Sequence, residues 1–230
     1  MKNKAILIFL ALCGCSQNIE QNIGKQYLNT KYIRDPLGEE KAPNSDPLIR
    51  NDAFDCTTFV ETVLSNYDKD KLNKIRYKNG NIDFLNRNHF IETDWLINNS
   101  DLLENVSNQY GTTAIRHVIV DKKSWFKKVH NIDTNTQKQI ADLEYIPYEF
   151  LSKINIQSPL IVLFIHDGNG FREKIGTDLA VVHMGFLLPQ NILRHASQKY
   201  GRVMDADFNE YVNKHKKNKH NIGIALVKIK

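Results

Sequence analysis

Three residues of this chain have side chains and surroundings suited to nucleophilic catalysis: Cys56, His183 and His195. Cys56, in "FDCTTFVETVL", begins an apolar-faced helix, where the helix dipole and backbone N–H groups stabilise a thiolate and can hold an oxyanion. His183 lies in the apolar run "AVVHMGF", and His195 follows in "LRHAS". Two strands joined by a short hairpin would bring these histidines together. One could then accept the thiol proton while the other fixes its tautomer.

Each of these residues also has a purely structural interpretation. A lone cysteine can be a small buried hydrophobe, and a histidine inside a strand is more often a satisfied core residue than a catalyst. The chemical interpretation is favoured because the cysteine and both histidines occur together at compatible spacing. Gly185, two residues after His183, would let another backbone or a ligand approach that strand closely. By contrast His215, in a basic and polar run, is expected to be solvated.

The elements around these residues predict an α+β fold. Apolar residues recur at helical spacing over 59–64, and Asp55 is placed to cap the helix. The C-terminal third contains β-rich runs separated by turn signals: "PLIVLFIH", "LAVVHMGFLL", "GRVMDADF" and "IGIALVKI". We therefore predict a helical first part that carries the cysteine and packs on an antiparallel sheet.

The remaining segments are less regular. Three prolines within residues 32–51 break any helix or strand and predict a long ordered loop. "IRYKNG" indicates a strand or a turn, and "FIETDWLINNSDLLENV" indicates a helix.

The N-terminus indicates export. Residues 1–15, "MKNKAILIFLALCGC", place two lysines before an apolar run and small residues, which is the order of a secretory signal peptide. The run is too short to span a bilayer. Its end resembles a bacterial lipobox, in which Cys15 becomes the lipidated first residue; an ordinary cleaved signal or a short buried helix is the alternative. We predict an outer-membrane lipoprotein facing the periplasm, with residues 16–23 as a tether and 24–230 as one domain.

This prediction leaves Cys56 as the one thiol of the mature chain, since Cys13 leaves with the signal and Cys15 carries lipid. An unpaired cysteine in an exported protein suggests intermolecular pairing or a reactive thiol. The formal net charge of +5 is too mild to indicate a nucleic-acid partner. In the mature chain neither a cysteine pair nor His-x-x-x-His occurs, so no metal or other cofactor is expected.

The order of these motifs resembles that of a known superfamily. Asp-Cys before a helix, then His-x-Gly on a strand and a later His-Ala-Ser, is similar to the NlpC-like bacterial cell-wall cysteine peptidases and amidases, which have a papain-like fold. More narrowly, "DCTTFVETVL", "NRNHFIETDWLINN", "YIPYEFL" and "VVHMGFLL" with "LRHAS" resemble the N-acetylmuramoyl-L-alanine amidase-like family over roughly residues 24–230. The resemblance implies a papain-like NlpC-type fold with a helical insertion.

The resemblance also implies roles for single residues. Cys56 is the nucleophile, His183 the general base and His195 the residue that orients the base. Tyr32 falls where the family has a tyrosine that lines the site, although "NTKY" lacks the glycine and proline that usually precede it.

The insertion typical of the family is expected to form a wall of the substrate groove and contributes Arg87, His89, Asp94 and Trp95. Core packing is an equally favoured role for Trp95, because a tryptophan at helical spacing with Leu96 needs burial. Arg87 could pair with a carboxylate of the substrate, or it could be exposed without a partner.

The function implied is cleavage of the amide between N-acetylmuramic acid, or its 1,6-anhydro form, and L-alanine of the peptidoglycan stem peptide. The expected protein is a monomer that acts on peptidoglycan or muropeptide fragments and contacts the membrane by its lipid anchor only. Three alternatives stay open: a stem-peptide endopeptidase, an acyltransferase or thioesterase, and a non-catalytic wall-binding lipoprotein. Alkylation is expected to separate the last from the enzymes, because a catalytic thiolate reacts at lower pH than a free thiol.

Overall fold

The computed structural model describes residues 22–151 and 154–230. The predicted signal peptide, the predicted lipidation site Cys15 and residues 16–21 of the predicted tether lie outside the described residues. Within the described part, no helix has the length and apolar character needed to cross a membrane.

The helices are short. The α-helices are Cys56–Ser65 (α1), Lys69–Arg76 (α2), Leu96–Asn98 (α3), Lys122–Trp125 (α4), Phe171–Ile175 (α5) and Phe208–His215 (α6). Single 3-10 turns occur at Lys25–Tyr27, Lys78–Gly80, Phe84–Asn86, Ser107–Gln109 and Pro189–Asn191. π-helical turns occur at Ile91–Trp95 and Phe126–His130.

Ten strands form one sheet in the described part of the chain. They are Lys31–Tyr32 (β1), Ala53–Phe54 (β2), Leu103–Asn105 (β3), Ala114–Val120 (β4), Gln139–Pro147 (β5), Leu160–His166 (β6), Val181–Leu188 (β7), Ile192–Ser197 (β8), Arg202–Asp207 (β9) and Asn221–Ile229 (β10). Their order is β2-β1-β9-β8-β7-β6-β10-β5-β4, with β3 paired to β10. Neighbours are antiparallel except β1 and β2, which are parallel. The α+β class is confirmed, and the sheet is mixed rather than purely antiparallel.

Strand β6 lies inside the sheet and is buried along its whole length. Its alternate side chains enter two different hydrophobic clusters, which explains why its sequence is a continuous apolar run. We name each cluster after a helix that packs in it. The α1 cluster contains Phe59 of α1, and the α6 cluster contains Phe208 of α6. The β6 residues in the α1 cluster are Ile161, Leu163 and Ile165, and those in the α6 cluster are Leu160, Val162 and Phe164.

Local sequence explains where α1 begins. The carboxylate of Asp55 accepts a hydrogen bond from the backbone N–H of Thr58 at 2.7 Å, and the Thr58 hydroxyl accepts one from the N–H of Asp55 at 3.0 Å. This reciprocal capping box satisfies two helix-end donors. Phe59 and Val60 are fully buried, so the predicted cap and the predicted apolar face are both confirmed.

The opposite side of α1 carries buried charge. Glu61 is fully buried and accepts hydrogen bonds from Nε of Arg76 at 3.0 Å and from Nη2 of Arg87 at 3.1 Å. Arg76 also donates to the carbonyl of Leu48 at 2.5 Å, within the long ordered loop that the prolines predict. These contacts join the cysteine helix to α2 and to the loop. Removing one partner of such a buried ion pair typically costs about 3–5 kcal/mol.

The middle of the chain departs from the prediction. Of the two alternatives for "IRYKNG", the turn is confirmed at Lys78–Gly80, whereas Ile75 and Arg76 end α2 and no strand forms. The predicted helix over "FIETDWLINNSDLLENV" is one π-helical turn and one α-helical turn, and it ends at Asn98. The side chain of Asn99 donates to the carbonyls of Trp95 and Ile75, at 2.8 and 3.0 Å. These bonds compete with helix continuation.

Candidate active site

Strands β7 and β8 place the two predicted histidines side by side. Nε2 of His183 and Nδ1 of His195 lie 2.7 Å apart, within hydrogen-bond distance. Gly185 makes this approach possible, because a Cβ there would lie 2.8 Å from both the carbonyl oxygen of Arg194 and the Cβ of His195. The close approach predicted at Gly185 is therefore made by β8.

A bulge in β7 lies next to His183. His183 pairs with Phe164 of β6, whereas Val181 pairs with Ile165, so Val182 is an extra residue in the strand. β-Bulges re-aim side chains and are frequent beside active sites.

Cys56 is the first residue of α1 and is partly buried. The backbone N–H groups of Met184 and Thr57 act to lower the pKa of this thiol, and its sulfur lies 3.9 Å from the Thr57 hydroxyl oxygen. Because Met184 follows His183 in β7, the thiol lies beside the segment that carries the predicted base. Because Nε2 of His183 is hydrogen-bonded to His195, the Nδ1 atom of His183 is the nitrogen suited to accept the thiol proton.

Burial controls the ionisation of this cluster. Burial, together with the carboxylate of Asp55, raises the pKa of Cys56 to about 12. Burial and the neighbouring His195 and His215 lower the pKa of His183 well below its usual value. Burial also lowers the pKa of His195 to about 4. Loss of hydration therefore opposes the thiolate predicted from helix position and favours a neutral thiol and neutral imidazoles.

Tyr32 lies close to Cys56. Strand β1 pairs with β2 so that Tyr32 is opposite Phe54, two residues before the cysteine. Burial first, and then the nearby charge of an ionised Cys56, raise the pKa of Tyr32 to about 12. Its position suits a residue that lines the site; its contact with substrate stays a prediction.

The sequence interpretation missed two residues of α6. The ring of Tyr211 stacks on His183, with centres 5.9 Å apart and planes at 27°, and meets His195 edge-on at 5.1 Å. His215 stacks on Tyr211 at 5.7 Å, and its Nδ1 lies 2.8 Å from the hydroxyl of Tyr148. The prediction that His215 is solvated was wrong. The four-residue spacing of Tyr211 and His215, which puts both on one helix face, was the available signal.

A cleft of about 590 Å³ opens beside this cluster, a size suited to a small ligand. Strands β7, β8 and β9, the turn between β8 and β9, and α6 form its walls. The lining side chains include His183, His195, Lys199, Tyr200, Tyr211 and Lys214.

Arg87 and Trp95 of the insertion do not line this cleft. Trp95 is fully buried in the α1 cluster, which agrees with the core-packing interpretation. Arg87 is 1% exposed and paired with Glu61. The prediction of an exposed guanidinium without a partner was therefore wrong.

His89 and Asp94 also lie outside the cleft. Nε2 of His89 is 2.7 Å from the carbonyl oxygen of Phe84, and burial lowers its pKa well below the usual value. Asp94 accepts hydrogen bonds from Nζ of Lys122 at 2.6 Å and from the backbone N–H of Phe90 at 3.1 Å. The insertion residues are held by contacts within the fold, and their contact with substrate stays a prediction.

The match to a known family covers nearly all of the described chain. The model of the AmiA-like family, N-acetylmuramoyl-L-alanine amidase-like proteins, matches residues 22–223. The chain belongs to this family. The amidase-like chain is 26% identical to a Legionella pneumophila protein of known structure, covering 93% of this chain and 88% of that one, with a TM-score of 0.81. No curated protein sequence matches it.

A crystal structure of an N-acetylmuramoyl-L-alanine amidase from Bacteroides uniformis is 23% identical to the amidase-like chain. It covers 94% of this chain and 100% of that one, with a TM-score of 0.72, which shows a shared fold. Within this fold the amidase-like protein places a thiol at the start of a ten-residue helix, next to the strand that carries one of two hydrogen-bonded imidazoles. Those groups are the ones that acyl transfer through a thioester requires. Among the described residues, no cluster of three or more His, Cys, Asp or Glu could hold a metal ion.

Proposed function

We propose that this protein is a peptidoglycan hydrolase of the NlpC-like superfamily, with a papain-like arrangement. It cleaves the amide between N-acetylmuramic acid, or its 1,6-anhydro form, and L-alanine of the stem peptide. The observation that carries the proposal is the 2.7 Å contact between His183 and His195 beside the Cys56 helix. Membership of the amidase-like family supports the choice of bond.

In the first step Nδ1 of His183 removes the proton of the Cys56 thiol while the sulfur attacks the lactyl carbonyl carbon. Because both groups rest neutral, this proton moves as the C–S bond forms. The carbonyl electron pair moves onto oxygen, and the backbone N–H groups at the start of α1 stabilise the oxyanion.

In the second step the imidazolium of His183 protonates the L-alanine nitrogen, and the C–N bond breaks. The peptide leaves with a free amine, and the lactyl group stays on Cys56 as a thioester. A water molecule, deprotonated by His183, then hydrolyses the thioester and releases a carboxylate. Throughout, Nε2–H of His183 donates to Nδ1 of His195, which keeps Nδ1 of His183 available as the base.

The proposal extends to location. The order of charged, apolar and small residues over 1–15 supports a lipoprotein signal with Cys15 as the lipidated residue. The protein then acts as a monomer on the periplasmic side of the outer membrane, with residues 24–230 as one catalytic domain on a short tether.

The test compares the purified protein with its Cys56→Ala variant on defined muropeptides, followed by mass spectrometry. A stem peptide with a free L-alanine amine, formed only by the intact cysteine, is the expected product. Peptide cut internally would move the protein to the endopeptidase alternative. Absence of turnover on both muropeptides and sacculi would contradict catalysis and favour the wall-binding alternative.

Histidine variants supply a matched comparison. His183→Gln and His195→Gln are expected to lose activity, by at least about 100-fold for the general base. His117→Gln removes an exposed histidine of β4 that contacts Asp142 at the surface. This control should retain wild-type turnover.

A further inference from the structure

Tyr211 of α6 lies against the histidine pair and lines the cleft, but the proposed reaction steps give it no role. Its ring centre lies 5.9 Å from that of His183 and 5.1 Å from that of His195. The planes of the Tyr211 and His183 rings differ by 27°, so these two rings are stacked. Tyr211 therefore contacts the proposed base with its aromatic ring.

A second aromatic ring also contacts His183. Phe164 of β6 is paired with His183 across the two strands, and their ring centres lie 5.6 Å apart with planes at 32°. Phe164 and Tyr211 contact each other at 4.9 Å. The helix that carries Tyr211 is anchored by Phe208 and Val212, which are 1% and 7% exposed. A buried strand and an anchored helix thus hold both rings beside the imidazole.

The proposed mechanism puts a positive charge on His183, and the histidine pair has no anionic partner for it. Among residues 22–151 and 154–230, no carboxylate is hydrogen-bonded to His183 or His195. Asp205, whose charge reaches His195, forms a bidentate ion pair with Arg194 at 2.7 and 2.8 Å. Burial meanwhile lowers the pKa of His183 well below its usual value. An imidazolium at this position therefore depends on uncharged neighbours for its stabilisation.

Aromatic rings can supply this stabilisation. The face of an aromatic ring attracts a cation that lies within about 6 Å of the ring centre, and the attraction is stronger where water is excluded. The ring centres of Phe164 and Tyr211 are both within this distance of the His183 ring centre. The attraction acts on the imidazolium much more than on the neutral imidazole. It therefore favours the charged transition state over the resting state, which is what accelerates a reaction.

We propose that Tyr211 is a positioning residue whose ring stabilises the imidazolium form of His183 through a cation–π interaction. The proposal rests on the proposed function, because it takes His183 as the acceptor of the Cys56 proton. It does not involve the phenol hydroxyl of Tyr211, which has no hydrogen-bond partner among the described residues.

The test varies the electron density of the ring at nearly constant shape. Tyr211→Phe is the reference, and 3,5-difluorophenylalanine and then pentafluorophenylalanine are introduced at position 211 by nonsense suppression. Fluorine withdraws electron density from the ring face, which weakens its attraction for a cation. The kcat for muropeptide cleavage should fall stepwise, by about three- to thirtyfold over the series, while KM stays nearly constant. A ring that only fills space would give a constant kcat.

Tyr110 supplies the matched control. Like Tyr211, it is partly buried and packs against the α6 cluster, but it does not line the cleft. The same fluorinated series at position 110 should leave kcat at the value of Tyr110→Phe. Tyr211→Leu, which removes the ring, should lower kcat about tenfold, whereas Tyr211→Phe should stay within about threefold of the wild type.

The outcomes separate this inference from the proposed function. A constant kcat over the series at position 211, in an enzyme that cleaves muropeptides, overturns the cation–π role alone. Equal losses in Tyr211→Phe and Tyr211→Leu also overturn it, because the hydroxyl would then be the active group. Equal declines at positions 110 and 211 overturn it as well. If the wild type cuts the stem peptide internally, the series is measured on that amide. Absence of turnover by the wild type contradicts the proposed function and this inference together.

Discussion

Burial favours the neutral form of the Cys56 thiol and of the His183 imidazole, because it raises the pKa of the first and lowers the pKa of the second. Their residue types and spacing were readable from the chain, and so was the role of Gly185 in admitting a neighbour. Their protonation was not readable, because it depends on Tyr211 and on other residues distant in sequence that exclude water from the site. Helix position alone predicted a thiolate, and the desolvation that reverses this prediction exists only in the folded protein.

This neutral state predicts slow alkylation of Cys56. With a pKa raised to about 12 by burial and by Asp55, the thiolate is scarce at pH 7, so iodoacetamide should react more slowly than with a free thiol of pKa about 8.5. The rate should still be rising above pH 9. The alkylation rate is measured between pH 6 and pH 10 by quenching samples at set times and determining the modified fraction by mass spectrometry.

Asp55→Asn is the matched variant, because asparagine retains the helix cap but removes the carboxylate charge. It should shift the alkylation profile of Cys56 to lower pH. An apparent pKa below 8.5 in the wild type would instead demonstrate a resting thiolate. Slow alkylation is also expected of a merely buried cysteine, so turnover of muropeptides, rather than alkylation, separates the enzyme from the binding protein.

At the scale of elements, the close contact between β7 and β8 leaves no room for a side chain at Gly185. Gly185→Ala would put a methyl group 2.8 Å from the Arg194 carbonyl oxygen and the His195 Cβ, so the strands must separate. We expect at least a tenfold loss of kcat/KM, measured on muropeptides. Gly111→Ala is the control, because its nearest neighbour, a methyl group of Ile146, lies at 3.4 Å. Equal activity of the two variants would contradict this account of the histidine pair.

Glu92 joins the insertion to the start of β7. Its carboxylate accepts a hydrogen bond from the backbone N–H of Ala180 at 2.8 Å, and burial raises its pKa from 4.5 to about 7. The folded protein therefore binds a proton at the Glu92 carboxylate more tightly than the unfolded chain does. The resulting stability is present below pH 4.5 and is lost as the pH rises through 7.

Glu92→Gln removes that titration. Relative to the wild type, the free energy of unfolding of the variant should rise between pH 4.5 and pH 8, by an amount on the order of 3 kcal/mol. Urea unfolding at the two pH values measures the difference. Glu104→Gln, at an exposed glutamate of β3, should show no such change. A pH-independent difference between Glu92→Gln and the wild type would refute the assignment.

Elements were predictable where periodicity was strong and unpredictable where side chains compete with the backbone. The helix that starts at Cys56 and the strands of the C-terminal third follow from apolar spacing and from the Asp55 cap. The helix expected over the insertion stops early because the Asn99 amide bonds to nearby carbonyls. That competition depends on the carbonyl of Ile75, 24 residues away, which periodicity does not reveal.

At the scale of the whole molecule, one sheet lies between two hydrophobic clusters, and its strands β6 and β10 contribute side chains to both. The α+β class could be inferred from runs of helix and strand signals. The strand order could not, because pairings such as β1 with β9 join segments far apart in sequence, and two-residue strands such as β1 carry no periodic signal. The sequence also did not indicate that α6 forms a wall of the cleft, because the basic residues at its C-terminal end favoured a solvent-exposed segment.

This architecture predicts cooperative unfolding of the described domain. Leu226 of β10 lies in the α6 cluster, whereas Trp95 lies in the α1 cluster and Trp125 packs against it. Leu226→Ala should reduce the free energy of unfolding by about 2–5 kcal/mol. Because β6 and β10 contribute to both clusters, tryptophan fluorescence and far-UV circular dichroism should shift to the same new midpoint. Separate midpoints would indicate two independently unfolding units and contradict the single-domain proposal.

Strand β10 lies between β6 and β5 and also pairs with β3. A ribosome that has synthesised everything up to residue 220 has therefore made both halves of the sheet but not the strand that joins them. Cys56, His183 and His195 are all present by then, yet the framework that aligns them is incomplete. The sheet that aligns these three residues is therefore complete only after Asn221–Ile229 has been synthesised.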